Sequence, residues 1–152
     1  MKNKIFKLLF YIILTFFIGS LFVFTIPKND EYQTLNKIVE VPGYVFIIVW
    51  SILYLLMAIS IYLINIKNNK IYKNAEKLYF LQLIINSLWT LIFFGFNFYS
   101  FSFIWILILI VLVSVMINEF YKINKIAGLI NIPYLFWLMF AAILNISIVL
   151  LN

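Results

Sequence analysis

Cysteine, histidine and arginine are all absent from the 152 residues. Without Cys or His there is no disulfide, no thiol nucleophile, no zinc site of the usual ligands and no imidazole base. A bound haem iron would find only Tyr or Met as protein ligands, so no metal site is expected. Charge is also scarce, at 11% of residues against about 25% in soluble domains. The acids Asp30, Glu31, Glu40, Glu76 and Glu119 all lie in or beside loops, which removes the mid-bilayer carboxylates that proton-coupled pumps use. Neither a glycine-rich dinucleotide fingerprint nor a P-loop is present.

What remains is 66% apolar and 20% aromatic. A soluble chain of this length needs a polar exterior that these residues cannot supply, so the bilayer is its natural solvent. The net charge of +6 comes from eleven Lys set between apolar runs. That placement fits retention of basic loops on the cytoplasmic side of a membrane and argues against nucleic-acid binding.

Crossing a hydrocarbon core about 30 Å thick takes about 20 apolar residues in a helix. Five runs qualify, at residues 5–26, 44–66, 78–96, 101–117 and 129–151. The expected fold is an all-α integral membrane protein, a single domain over 1–152 made of a bundle of five transmembrane helices. The first run reads as a retained helix, being longer than a signal-peptide core and lacking a small-x-small site before Pro27. Basic residues gather in the tail (Lys2, Lys4, Lys7), in 67–77 and in 119–128, which places the N-terminus inside and the C-terminus outside. The Lys-rich, Arg-free, Ile- and Asn-rich composition points to a bacterial plasma membrane.

Polar residues inside the spans are informative because an unpaired amide in hydrocarbon costs several kcal/mol. They are Gln82, Asn86 and Thr90, spaced by four on one helix face, and Asn145. Two readings stay open for each, interhelical hydrogen bonding and a role in a pocket. The embedded aromatics Trp50, Tyr54, Trp89, Phe93 and Trp137 include two i, i+4 pairs. Trp50 and Trp137 lie about 10–12 Å into their helices at 1.5 Å per residue, below headgroup level. Ala141 and Ala142, a turn from Trp137, leave room for a flat ligand.

Three blocks carry a resemblance. VPGYVFIIVWSILY at 41–54, LQLIINSLWT at 81–90 and AGLINIPYLFWLMFAAILN at 127–145 resemble, in order, the signatures of the TspO/translocator family, also called tryptophan-rich sensory proteins or peripheral benzodiazepine receptors. Tyr32, Leu35, Asn36 and Lys37 are similar to that family's first-loop motif. Val41, Tyr44, Ile47 and Ile48 depart from it, standing where the signature has Pro, Trp, Gly and Pro.

The resemblance implies a five-helix bundle, often a homodimer, with one pocket under a lid formed by the first loop, 27–43. It implies porphyrins, haem, sterols and benzodiazepine-type drugs as ligands, with no cofactor required beyond the ligand itself. Together the residue chemistry and the resemblance give Tyr32, Trp50, Tyr54, Asn86, Trp89, Phe93, Trp137, Ala141 and Asn145 as the candidate ligand-binding set. The expected function is a membrane receptor or sensor for protoporphyrin, haem and related flat hydrophobic molecules. Light- and oxygen-dependent porphyrin degradation, with Trp50 and Trp137 as the reacting indoles, is an alternative, as is passive transport of tetrapyrroles or sterol-like lipids.

Overall fold

A computed structural model describes residues 2–23, 31–67 and 72–152. Residues 24–26 of the first expected span, Pro27, Lys28 and Asp30 of the expected lid, and Lys70 lie outside the described residues. Among the described residues all regular structure is helical. The elements are α1 (Lys2–Gly19), α2 (Glu31–Thr34), α3 (Gly43–Asn65), α4 (Tyr72–Thr90) continued by a π-helical turn (Leu91–Gly95), α5 (Tyr99–Ile123), α6 (Lys125–Leu129) and α7 (Ile132–Leu151).

These make five rods, because the π turn extends α4 and α6 leads into α7. Four of the rods are long and apolar enough to cross a membrane. The other, α1, has 18 residues and carries Lys2, Lys4 and Lys7 in its first two turns.

Several boundaries differ from those expected, each for a local reason. α1 ends at Gly19 and the chain turns through residues 20–23, with the Ser20 hydroxyl donating back to the Phe16 carbonyl at 2.7 Å. α4 begins at Tyr72, six residues before its apolar run, because Ala75, Tyr79 and Leu83 already form a buried stripe at i, i+4 spacing. α5 continues past Ile117 to Ile123 since Phe120 extends the buried series of Val113 and Met116, and Glu119 pairs with Lys122 at 2.6 Å on its outer side.

The last rod is interrupted between Leu129 and Ile132. Pro133 in the first turn of α7 lacks a backbone donor and suits a helix start. Asn124 opens α6 by accepting from the backbone of Ile126 and Ala127 at 3.0 and 3.4 Å, the usual work of an N-cap amide.

α1 packs on α3 and α4, α4 on α5, α5 on α6 and α7, and α6 on α3, closing a ring. Basic residues Lys4, Lys7, Lys67, Lys73, Lys77, Lys122 and Lys125 fall at the end where α1 and α4 begin and α3 and α5 finish. Large apolar side chains such as Phe6, Phe10 and Phe17 on α1 and Ile104, Ile108 and Val111 on α5 face outward, as a hydrocarbon solvent allows.

Buried polar groups tie the rods together. Thr15 of α1 pairs with the Tyr79 hydroxyl of α4, and Ser87 of α4 donates to the Ile18 carbonyl of α1. Trp105 of α5 donates to the Ile85 carbonyl at 2.9 Å.

Candidate functional site

α3 presents Phe46, Ile47, Trp50, Ser51 and Tyr54 to α1 and α4 because residues at i, i+4 and i+7 share one helical face. Opposite them stand Phe16, Ser20 and Val23 from the end of α1, and Trp89, Thr90 and Phe94 from the end of α4 and its π turn. Together these residues enclose a cavity of about 360 Å³, within the about 300–1,000 Å³ of small-molecule sites. A π turn widens a helix by one residue and recurs at functional sites. Across it Trp89 stacks on Phe93 with centroids 5.1 Å apart, while Phe94 lines the cavity.

Tyr54 forms the floor. Its hydroxyl donates to the Gly19 carbonyl at 2.8 Å, its ring meets Phe16 edge-on at 5.6 Å, and Trp50 lies against it at 5.4 Å. The approach requires a glycine, since a Cβ on Gly19 would sit 2.5 Å from the Tyr54 ring. Behind this floor Asn86 donates to the Tyr54 oxygen at 3.4 Å.

The loop from α2 to α3 closes the top of a second, much smaller space. The Tyr32 ring on α2 meets Phe46, Phe93 and Phe94 at 6.5, 6.0 and 5.5 Å. Below it Tyr32, Phe46, Trp89, Phe93, Phe94, Ala141 and Leu144 surround only about 10 Å³. Phe46, Trp89 and Phe94 border both spaces and form the partition between them. Lys37 lies 4.6 Å over the Tyr32 ring and donates to the Tyr32 carbonyl at 2.6 Å. Burial holds the Tyr32 phenol above its ordinary pKa, so it stands as a neutral hydroxyl.

Of the sequence-derived candidates, Trp50, Tyr54 and Trp89 share the larger cavity, and Tyr32, Phe93 and Ala141 gather round the smaller space. Asn86 sits between Tyr54 and the core. Trp137 is on the other side of Phe46, edge-on to it at 5.8 Å, and borders a shallow outward groove between α3 and α7 with Ile52 and Phe136. Asn145 lines neither space; its amide pairs with Ser102 at 2.8 Å and, with its nitrogen turned toward α5, donates to the Tyr99 carbonyl at 2.8 Å.

Gln82 is engaged by the core, accepting from the Tyr134 hydroxyl at 2.9 Å. Thr90 reaches the cavity wall. Phe16, Ser20, Phe46 and Phe94 were not legible as site residues, because an aromatic or a serine in an apolar helix carries no signal of which neighbour it meets.

Three buried polar atoms near these spaces find no hydrogen-bond partner among the described residues: Asn86 Oδ1, Trp89 Nε1 and Trp137 Nε1. Native interiors pair the great majority of such atoms; here they lie at three separate points, behind the Tyr54 floor, in the partition and beyond Phe46. With no His, Cys or carboxylate in the lining, the arrangement can stack a flat molecule and donate or accept a few hydrogen bonds. Among the described residues no cluster of metal-binding side chains occurs.

The TspO/MBR family model matches residues 8–151. The chain is 31% identical over 124 residues to protein CrtK of Rhodobacter capsulatus, covering 80% of this chain and 78% of that protein. It is 33% identical over 111 residues to the tryptophan-rich protein TspO of Archaeoglobus fulgidus, covering 73% and 72% of the two chains. With the tryptophan-rich sensory protein of Cereibacter sphaeroides the identity is 31% over 127 residues, 82% and 79% of the two.

Proposed function

This chain belongs to the TspO/MBR family of membrane proteins, and from that premise we propose that it is a receptor for a flat, hydrophobic tetrapyrrole, protoporphyrin or haem, held in the cavity between α1, α3 and α4. The observation that carries this reading is the aromatic box itself. Trp50 and Trp89 supply indole faces on opposite walls of about 360 Å³, and the unpaired Trp89 Nε1 offers a donor to a propionate or carbonyl. Related planar drugs of the benzodiazepine type suit the same surfaces. The segment bearing Tyr32 caps the smaller space next to this cavity. In this reading the Lys-rich end faces the cytoplasm of a bacterial plasma membrane.

Binding is the primary role. A second reading, slow light-driven oxidation of the bound porphyrin with dioxygen as the oxidant, draws on Trp50, whose indole borders the cavity directly; Trp137 would act only from behind Phe46.

Titration of the nanodisc-embedded protein with protoporphyrin, followed by quenching of tryptophan fluorescence, tests the assignment. Saturable quenching is expected, weakened by about tenfold or more in Trp89→Ala, a loss of about 1.4 kcal/mol, and less in Trp137→Ala. Undiminished affinity in a Trp50→Ala, Trp89→Ala double variant would remove the ligand from this cavity.

A further inference from the structure

A ligand has two directions from which to reach the cavity, the water beyond the loop and the hydrocarbon beside the bundle. Among the described residues the loop side is closed. Tyr32 is wedged against Phe93 and Phe94 above about 10 Å³, barely the volume of one water probe. The loop is also clasped to the end of α7. The Asn36 backbone donates to Asn152 Oδ1 at 3.0 Å, and Asn152 Nδ2 donates to the Asn36 carbonyl at 3.1 Å.

The flank between α1 and α3 differs. There the cavity lining includes Ile47, which is 70% exposed, and Val23, which is 51% exposed. Ser51 is exposed beside them. Counting from Gly43 at 1.5 Å per residue, Ile47 and Ser51 stand about 6 and 12 Å along α3. With Gly43 at the edge of a hydrocarbon core about 30 Å thick, that is the depth of the acyl chains. The two hydroxyls at this opening are occupied by their own helices, Ser51 donating to the Ile47 carbonyl at 2.8 Å and Ser20 to the Phe16 carbonyl at 2.7 Å. The opening therefore offers an apolar rim that needs no water to satisfy it.

We infer that the ligand enters sideways from the hydrocarbon layer, between α3 and the turn of residues 20–23 that follows α1, and that Ile47 is the residue that gauges what passes. The inference rests on the binding proposed above. It makes the bilayer the ligand reservoir, so that selection begins with partitioning: a planar molecule dissolved in lipid meets the Ile47 rim edge-on, and a water-soluble one does not reach it. At this position the signature that the segment resembles has Gly. A branched side chain there narrows the gap without touching the Tyr54 floor.

Stopped-flow quenching by protoporphyrin pre-equilibrated in lipid vesicles and mixed with protein-bearing vesicles tests the route. Ile47→Gly is expected to raise the association rate by about tenfold and Ile47→Trp to lower it by a similar factor, each about 1.4 kcal/mol in barrier. An entrance acts in both directions, so the dissociation rate should change by a similar factor, and any change in affinity from Ile47's own place in the lining should be smaller than either rate change. Asn152→Ala, which opens the clasp, should leave the rate unchanged. Ile47 faces outward, so neither of its variants threatens the fold. If binding is saturable but the rate follows Asn152 and ignores Ile47, the side entrance is wrong while the cavity stands. If the unaltered protein shows no saturable quenching, the binding reading itself falls and the entrance with it.

Discussion

The Lys-rich end and the loop end of this bundle are built from the same apolar alphabet to opposite effect. At the Lys-rich end Met57, Ile61, Ile64, Met116, Phe120 and Ala127 are completely buried. Ser60 donates to the Ala127 carbonyl at 2.7 Å, and Asn131 Nδ2 donates to Ser60 and to Ala127 at 2.6 and 2.8 Å. At the loop end the aromatic rings stand apart round a cavity, α4 loosens into a π turn, and Asn86, Trp89 and Trp137 each keep a polar atom unpaired. Asn131 Oδ1 at the closed end is also without a partner among the described residues, although its nitrogen is used twice. The contrast assigns stability to one end and ligand contact to the other, and substitutions can break that division.

The largest effect is expected at the closed end. Phe120→Ala removes a ring that is fully buried and stacked with Tyr79 at 6.4 Å, which should cost about 3–5 kcal/mol. Unfolding in detergent should report it as a large fall in midpoint. Porphyrin affinity of the fraction that remains folded should be unchanged, and a parallel loss of affinity would show that the two ends are not separable.

Gly19→Ala is intermediate and joins the two. Its Cβ would lie 2.5 Å from the Tyr54 ring, so the ring must move and its bond to the Gly19 carbonyl is strained or lost. Overpacking of this kind costs about 1–3 kcal/mol. Because Tyr54 is the cavity floor, affinity should fall together with stability. Restored binding in Gly19→Ala, Tyr54→Phe, where only the hydroxyl is removed, would identify the hydroxyl as the point of conflict; a further loss would identify the ring.

Sequence reading reached the fold more fully than the site, for physical reasons. Span length depends on a run of apolar residues, and the runs at 44–66 and 129–151 lie within a few residues of α3 and of the end of α7. The same count misjudges ends. It cannot register that Ser20 turns the chain or that Asn118 and Glu119 continue a helix beyond the apolar layer. Within one helix, i, i+4 spacing put Trp50 with Tyr54 and Trp89 with Phe93, and the rings do meet. Between helices it gives no relative rotation. Trp50 and Trp137 therefore looked alike in depth, while Phe46 separates them in space. Phe16 and Phe94 enter the cavity through that same interhelical rotation.

The finest test of the division uses two amides one turn apart on α4. Gln82 and Asn86 share a face and are both fully buried, yet Gln82 accepts a 2.9 Å bond from Tyr134 while Asn86 Oδ1 accepts none. Replacing Gln82 by Leu leaves the Tyr134 hydroxyl without its acceptor, a loss of about 1–2 kcal/mol. Replacing Asn86 by Leu removes an unpaired oxygen and only a long 3.4 Å contact to Tyr54, so stability should change by less than about 1 kcal/mol, in either direction. Porphyrin affinity is expected to reverse the order, weakened by Asn86→Leu and indifferent to Gln82→Leu. Thermal midpoints and quenching titrations on the two variants decide it. If Asn86→Leu binds as before and melts lower, its amide belongs with the interhelical hydrogen bonds of the closed end, and the boundary between the two ends moves up by one helical turn.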